Sequence, residues 1–456
     1  MFEILEKIIR QSPWLESESL INQDFHINEA QKNKYIFKNK DFFALDFKSG
    51  VYILTGPRQI GKTTHLKYLI QSKINAENKS NFLYFNCDLL DKKSDIVDLV
   101  EKFLDNFPNK KWPTFIILDE ITSIKDSILA IKYLIDQGLK NNIIYILTGS
   151  SAVNIKKTGE YLPGRRGAGQ DFVFLPVTFR NFLKTQYPEI NLNFLKNETV
   201  EKFYLRLSKK ISLEKELNKY LISGGIPKII NNFLQDQYIS LENFNIYKNW
   251  LISEVAKSGR KENFVKIIIN RILNSMSHDV SYNAFTSDTG IGSHNTIYDY
   301  LTFLEDAFFI KQVYNFSFSE KKIYFKKNKK IYFTDTFLFW LFTWWIKADD
   351  KYYCNLNSDS VLKSKLIENL VFNRLNLIFK EVFFYKKTYE IDFICSNYAF
   401  ECKYQNQISF SDIKELLKFP NKKFVICKND FKLEKNVQFL PVSLFLLLPQ
   451  EYFKKS

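Results

Sequence analysis

A strand, an eight-residue loop and a helix near the start of the chain constrain its architecture more than any other segment. Residues 51–55 are a short apolar run, Gly56-Pro57-Arg58-Gln59-Ile60-Gly61-Lys62-Thr63 follows, and a helix is expected over 62–72. The loop matches G-x-x-x-x-G-K-[ST] in the strand-to-helix setting that gives the motif its meaning. Its glycines let backbone N–H groups turn inward around phosphate oxygens at a helix N-terminus. Lys62 then puts a cation on the β- and γ-phosphates, and the Thr63 hydroxyl completes a Mg²⁺ shell. The stretch through Thr64 is expected to bind the nucleotide, with ATP as ligand.

The residues after the loop repeat an α/β rhythm. Strands are expected over 81–86, 114–119, 142–148 and 171–175, with helices near 95–107 and 124–137 between them. Apolar strands alternating with amphipathic helices make a parallel sheet covered on both faces. Phe115-Ile116-Ile117-Leu118-Asp119-Glu120 supplies the second half of the site. The apolar residues hold the strand, and Asp119 emerges at its C-terminal edge, where open sheets bind ligands. Asp119 is expected to orient Mg²⁺, and Glu120 to polarise the attacking water. A bare Asp-Glu pair after a strand also serves as a helix cap, but the loop beside it favours catalysis. The strand over 143–147 ends in Thr148-Gly149-Ser150-Ser151, where Ser150 is a candidate nucleotide contact and a plain turn is the other reading. Arg165 and Arg166, in Pro163-Gly164-Arg165-Arg166-Gly167, read as an arginine finger acting in trans or as a solvated basic loop.

The chain has 456 residues, of which 45% are hydrophobic and 16% aromatic, enough for several buried cores. Its five cysteines include no CxxC pair, which argues against a disulfide framework or a zinc cluster and fits a reducing compartment. The most apolar runs, 337–346 and 442–449, are too short to span a bilayer. A cytoplasmic protein without membrane partners is expected. The formal net charge of +15 suits a polyanionic partner, nucleic acid first. A composition rich in Lys, Asn, Ile and Phe, as AT-rich coding produces, gives the same sum.

Several motifs together resemble AAA+-type archaeal and bacterial P-loop ATPases. They are Gly-Pro-Arg-Gln-x-Gly-Lys-Thr-Thr (56–64), Ile-Leu-Asp-Glu (117–120), Leu-Thr-Gly-Ser-Ser (147–151), Leu-Pro-Gly-Arg-Arg (162–166), Leu-Pro-Val-Thr-Phe (175–179) and Gly-Gly-Ile-Pro (224–227). The resemblance runs from about Trp14 to near the C-terminus. Residues 1–48 read as a polar, mixed prelude and 177–258 as a helical lid, and between them the resemblance implies the parallel-sheet P-loop AAA+ ATPase core (49–176) of an α/β multidomain chain. A winged-helix domain (259–335) and a C-terminal PD-(D/E)XK nuclease-like domain (336–456) follow. The resemblance further implies ATP hydrolysis, and Arg165 and Arg166 reaching a neighbour's γ-phosphate would make the protein a homo-oligomer, with a hexamer as one form.

The segment 264–316 supports the winged helix from its own residues. Helices are expected over 264–276 and 293–305, with a short one capped by Ser281 and a Gly290-Ile291-Gly292 turn between them. The last helix would enter a major groove through His294, Asn295 and Tyr298. Six lysines within 321–330, Lys326 and Lys327 among them, read as a basic wing. Helix-turn-helix folds also dock proteins, and DNA is the favoured partner here.

The C-terminal segment holds a second constellation. Glu390-Ile391-Asp392-Phe393-Ile394-Cys395 and Phe400-Glu401-Cys402-Lys403 alternate polar and apolar residues around a Ser396-Asn397 turn. If Cys395 pairs with Tyr398, Asp392 falls opposite Glu401 and Glu390 opposite Lys403, all on one face. Ile391, Phe393, Phe400 and Cys402 then take the other face. Opposed carboxylates repel unless a hard divalent cation lies between them, so Mg²⁺ or Mn²⁺ is expected there. Lys403 would activate water or stabilise phosphate charge, and Glu368, on an expected helix over 362–379, would add a ligand. The plainer alternative is a Glu390–Lys403 cross-strand ion pair with Glu401 solvated. The expected activity is a Mg²⁺-dependent ATPase acting on DNA by remodelling or helicase-like translocation, on branched DNA among other forms, with a nuclease-like domain. The alternative is an ATP-driven signalling switch that docks a protein partner, with the C-terminal domain inactive as a nuclease.

Overall fold

The computed structural model describes residues 2–139, 141–149, 162–317, 320, 322–379 and 381–454. The chain divides into two compact units, one of residues 1–175 with 306–308 and one of 176–305 with 309–456.

The first unit is built on five parallel strands: β1 (Gly50–Thr55), β2 (Phe82–Asn86), β3 (Thr114–Asp119), β4 (Ile143–Thr148) and β5 (Asp171–Val173). Their order is β2-β3-β4-β1-β5. Strands β1, β3 and β4 are buried along their whole length, because helices cover both faces of a parallel sheet and leave no polar side. Helices Lys62–Lys73, Lys93–Asn106 and Ser127–Asp136 fall where the sequence places them, within a few residues.

The N-terminal 48 residues pack into this unit. Ile8, Trp14, Ile21, Ile27 and Phe42 belong to the same buried cluster as the sheet. They also finish its edge. The Ser12 hydroxyl donates to the Tyr84 carbonyl and accepts the Tyr84 N–H, both at 2.9 Å. Trp14 Nε1 donates to the Phe82 carbonyl at 2.8 Å, and Asn86 N–H donates to Gln11 Oε1 at 2.7 Å. Side chains here satisfy the free backbone row of the edge strand β2, which would otherwise invite pairing with another chain.

The second unit begins with helices that run from Phe179–Gln186 to His294–Asp306. Among them, Glu262–Asn274, Tyr282–Thr289 and His294–Asp306 are the three helices expected for a helix-turn-helix. Ser281 caps the second by accepting the Ala284 N–H at 3.0 Å. An eight-stranded mixed sheet follows, in the order β12-β13-β11-β10-β9-β8-β6-β7. Its members are β6 (Ile310–Ser317), β7 (Lys322–Phe333), β8 (Phe383–Lys386), β9 (Glu390–Cys395), β10 (Tyr398–Lys403), β11 (Lys422–Cys427), β12 (Lys432–Glu434) and β13 (Val437–Pro441).

The β6–β7 hairpin does not stand apart as a basic wing. Strand β6 pairs with β8 at Asn315↔Phe384, and the Asn315 side chain bonds the Lys386 backbone at 2.8 and 3.2 Å. The hairpin is thus an edge of the C-terminal sheet, which crosses the expected boundary at 335/336. Lys329 and Lys330 are buried. The lysine-rich run looks solvated in sequence because the carboxylates that receive Lys330 lie some 40–60 residues further on. Lys321 lies outside the described residues, as do the side chains of Lys326 and Lys327.

Gly224 and Gly225 explain their own presence. Asp335 caps helix Thr336–Lys347 by accepting the Phe337 N–H at 2.8 Å, and it accepts the Gly225 N–H at 2.7 Å. A Cβ on Gly224, whose φ is +65°, would lie 1.9 Å from Asp335 Oδ1. Burial pushes the Asp335 carboxyl up to about 6.

Trp14→Ala removes a fully buried indole and the hydrogen bond that closes the β2 edge. It should cost about 3–5 kcal/mol, read as a lower urea midpoint for unfolding of the first unit by far-UV circular dichroism. A loss under about 1 kcal/mol would mean that the N-terminal segment only rests on the sheet.

Candidate functional site

The phosphate loop runs from β1 into helix Lys62–Lys73. Gly56 has φ +144°, and a Cβ there would lie 2.4 Å from the Phe174 carbonyl. Gln59 and Gly61 are left-handed, at φ +60° and +89°, which turns the loop tightly enough to start the helix at Lys62. The Lys62 ammonium is buried and donates to the Gly56 and Pro57 carbonyls at 2.8 and 3.0 Å. His65 braces the loop from behind. Its Nε2 accepts the Asn39 N–H at 2.9 Å, which leaves Nδ1 to donate to the Gly61 carbonyl at 2.7 Å. Burial lowers the pKa of this imidazole, in keeping with the neutral tautomer that the two bonds require.

Asp119 gathers the site. Its Oδ2 accepts from the Thr63 hydroxyl at 2.6 Å and from the Tyr84 hydroxyl at 2.8 Å, and its Oδ1 accepts from the Thr148 hydroxyl. The Thr148 oxygen in turn accepts the Glu120 N–H at 2.9 Å. Glu120 has φ +52°, a left-handed conformation that costs a residue with a Cβ some energy and marks functional turns. Burial and then the Asp119 charge push the Tyr84 phenol far up, so it remains a donor. Thr63 and Asp119 are in direct contact. The donor set of a hydroxyl and a carboxylate beside a phosphate loop fits Mg²⁺. Ser150 lies outside the described residues.

Lys62, Thr63, Asp119 and Glu120 are thus brought together as expected from the motif. Tyr84 and Thr148 were not expected to hold Asp119. The signal available was a hydroxyl at a strand position flanking the Asp119 strand on each side. Arg165 pairs with Asp136 at 2.7 and 3.2 Å, and Arg166 with Asp171. These pairs are partly exposed, and such pairs yield readily to a competing anion.

In the second unit, His294, Asn295 and Tyr298 share the exposed face of helix His294–Asp306. Tyr298 lies edge-on to Tyr282, with ring centroids 6.2 Å apart. Behind them Lys329 is buried, with Nζ 2.8 Å from the Tyr282 ring centroid and without a hydrogen-bond partner among the described residues; burial brings it down to about 7.

The C-terminal hairpin keeps the expected register only in part. Cys395↔Tyr398, Ile394↔Ala399 and Phe393↔Phe400 pair as expected. Then β9 carries one residue more than β8: Phe383 pairs with Ile394 and Tyr385 with Ile391. Such a bulge breaks the alternation. Ile391 packs with Ile394 and Ala399 in one cluster, whereas Phe393 meets Tyr332 and Phe372. Ile391 and Phe393 therefore do not share a face, contrary to strict alternation. Beyond the ladder each carboxylate takes the partner strand's backbone: Asp392 Oδ2 accepts the Cys402 N–H at 3.0 Å, and Glu401 Oε2 the Asp392 N–H at 3.4 Å. Glu390 does not pair with Lys403. It pairs with Lys330 and Lys386, each at 3.0 Å, and Lys403 pairs with Glu401 at 2.8 Å.

Glu368, Asp392, Glu401 and Lys403 still form one electrostatic group. Burial and the Asp392 charge push Glu401 above the usual carboxylate range, and burial pushes Glu368 up as well. Burial raises Asp392 as well, but the Lys330 and Lys403 ammoniums outweigh it and hold that carboxyl below its usual value. Lys330, unforeseen in the sequence, sits among Asp392, Glu390 and Glu368. Among the described residues, no group of three or more His, Cys, Asp and Glu side chains is arranged to hold a metal ion.

Comparison with known proteins places the first unit. The AAA domain family matches residues 48–183, and a domain of unknown function (DUF8612) matches 214–344. An uncharacterized protein of Methanocaldococcus jannaschii is 28% identical over 413 residues, covering 86% of this chain and 83% of that protein. Two solved structures align more loosely. The Walker-type ATPase of Pyrococcus abyssi has 12% identity over 64% of this chain and 90% of its own, with a TM-score of 0.40. The RuvB Holliday junction branch migration motor of Thermotoga maritima has 15% identity over 58% and 82%, with a TM-score of 0.29. Residues 48–183 are thus similar to an AAA domain, and they contain the parallel sheet and the phosphate loop described above. No described helix is long and apolar enough to cross a membrane.

Tyr84→Phe deletes one donor to Asp119 and little else. A hydrogen bond of about 0.5–1.5 kcal/mol corresponds to a two- to tenfold fall in ATP turnover, with a higher Mg²⁺ concentration needed for half-maximal rate. An unchanged Mg²⁺ dependence would remove Tyr84 from the metal-positioning set.

Proposed function

We propose that this chain is a Mg²⁺-dependent ATPase of the AAA+ type that acts on DNA. The observation that carries the proposal is the convergence of Lys62, Thr63, Asp119, Thr148 and Glu120 at the end of β3. Thr63 and Asp119 would hold Mg²⁺, which when bound offsets the phosphate charge. Lys62 adds a fixed cation to the cradle, and Glu120 orients and polarises water at its mouth. Arg165 and Arg166 are exposed enough to leave their own ion pairs for a neighbour's γ-phosphate, which supports a homo-oligomer, hexameric or otherwise.

The DNA part rests on the helix-turn-helix with exposed His294, Asn295 and Tyr298, and on the +15 net charge. The C-terminal acid group supports a nuclease-like ancestry for that domain. Because Lys330 occupies its centre, the cluster does not fit a divalent ion as it stands, and no cleavage step is derived through one.

Two measurements test the proposal. Glu120→Gln should keep ATP binding and lose turnover by about a hundredfold or more, whereas Lys62→Ala should lose tight ATP binding. Near-normal turnover in Glu120→Gln would take that residue out of the mechanism. Single-stranded, duplex or branched DNA should stimulate the ATPase, with binding that weakens steeply as salt rises. Replacing His294, Asn295 and Tyr298 together by Ala should abolish the stimulation. An ATPase indifferent to every DNA form at low salt would favour the switch that docks a protein partner.

A further inference from the structure

The C-terminal acid cluster already holds a cation. Lys330 Nζ lies 2.9 Å from Asp392 Oδ1, 3.0 Å from Glu390 Oε1 and 3.6 Å from Glu368 Oε1, and its side chain is 1% exposed. An ammonium has three N–H donors, and three carboxylates surround this one. The distances are those of an ammonium among carboxylates, well beyond the roughly 2.0–2.6 Å at which Mg²⁺ or Ca²⁺ meets oxygen. Other oxygens of the cluster are turned elsewhere: Asp392 Oδ2 to the Cys402 N–H, Glu390 Oε2 to Lys386, and Glu401 to Lys403 and the Asp392 N–H.

We propose that Lys330 is the resident cation of this cluster, and that it bars a divalent metal from Glu368, Asp392 and Glu401 while β7 keeps its register. The inference rests on reading those residues, with Lys403, as one site. A divalent ion within about 3 Å of a buried ammonium is repelled without water to screen it, so the two occupancies exclude each other. Withdrawing the ammonium leaves buried carboxylates that must take up protons or another cation.

The position of the ammonium is set by strand pairing. Lys330 pairs with Val313 in the β6–β7 ladder. Its neighbour Lys329 exchanges two backbone hydrogen bonds with Val280, at 2.9 and 3.0 Å, just before the helices that present His294, Asn295 and Tyr298. The lysine that fills the acid cluster is therefore tied to the segment proposed to meet DNA, and a shift of that segment along β7 is the natural way to withdraw it.

Mn²⁺ binding to the full chain without nucleotide, followed by electron paramagnetic resonance, tests the inference. Wild type should bind no ion that Asp392→Asn removes. Lys330→Ala should gain about one ion per chain, lost again in Lys330→Ala/Asp392→Asn, whereas Lys330→Arg, which keeps the cation, should gain none. Lys330→Met preserves the volume if Ala proves too disruptive, with circular dichroism as the check on folding. A wild-type ion lost in Asp392→Asn overturns the proposal and leaves the nuclease-like reading standing. Folded Lys330→Ala and Lys330→Met that bind no ion overturn both, since the carboxylates then form no divalent site in any state. The ATPase and DNA measurements do not depend on either result.

Discussion

A carboxylate at the end of a buried strand organises the first unit. Phe115, Ile116, Ile117 and Leu118 have almost no exposed surface, and Asp119 follows with 2%. An ionised group so placed is stable only if its lone pairs are met. The sheet order decides which residues meet them. Strand β3 lies between β2 and β4, so Tyr84 and Thr148 each bring one hydroxyl from the side, and Thr63 brings a third from the helix that follows the phosphate loop. The nucleotide site is therefore a consequence of strand order as much as of the loop motif.

The same network reaches the N-terminal segment. The Lys67 ammonium lies 3.4 Å from the centre of the Tyr84 ring and pairs with Asp24 at 3.2 Å. Burial lowers its pKa, and Asp24 works against that loss. Asp24, Lys67, Tyr84 and Asp119 thus form a chain of contacts from the N-terminal prelude to the carboxylate at the end of β3. With Ser12 and Trp14 closing the β2 edge, the first 48 residues are structural to the ATPase, and their mixed composition hides this. The buried anchors Ile8, Trp14, Ile21, Ile27 and Phe42 are spread over several short helices, so no single long periodic stretch announces them.

How far the sequence is legible follows from whether the governing interaction is local. Strands β1 to β4 are readable because each is a short apolar run, and the phosphate loop because its turn residues stand beside the first of them. The three helices of 262–306 are readable from caps such as Ser281 and Gly290, which act within a few residues. The hairpin register is correct through Phe393↔Phe400, since a two-residue turn fixes it. It departs at Asp392 because the bulge arises from pairing with β8, on the far side of β9. Burial of Lys330 is illegible for the same reason: its partners come from helix Ser360–Ile378 and from β9, and nothing within β7 distinguishes it from an exposed lysine.

The two acidic sites solve one problem in opposite ways. Asp119 is surrounded by three neutral hydroxyls, which satisfy its lone pairs without cancelling its charge. Its charge is left uncancelled, and the hydroxyl protons can rotate away at little cost should a cation arrive. Asp392 and Glu390 are met by the ammonium of Lys330, and Glu401 by that of Lys403. There the charge is already offset, and a metal must expel a buried cation before it can bind. Residue types alone would rank the C-terminal cluster, with more carboxylates, as the stronger metal site. Counting how each carboxylate is compensated reverses that order. The site with one acid and neutral donors keeps an uncancelled charge, and in the site with four acids the chain's own lysines already offset it.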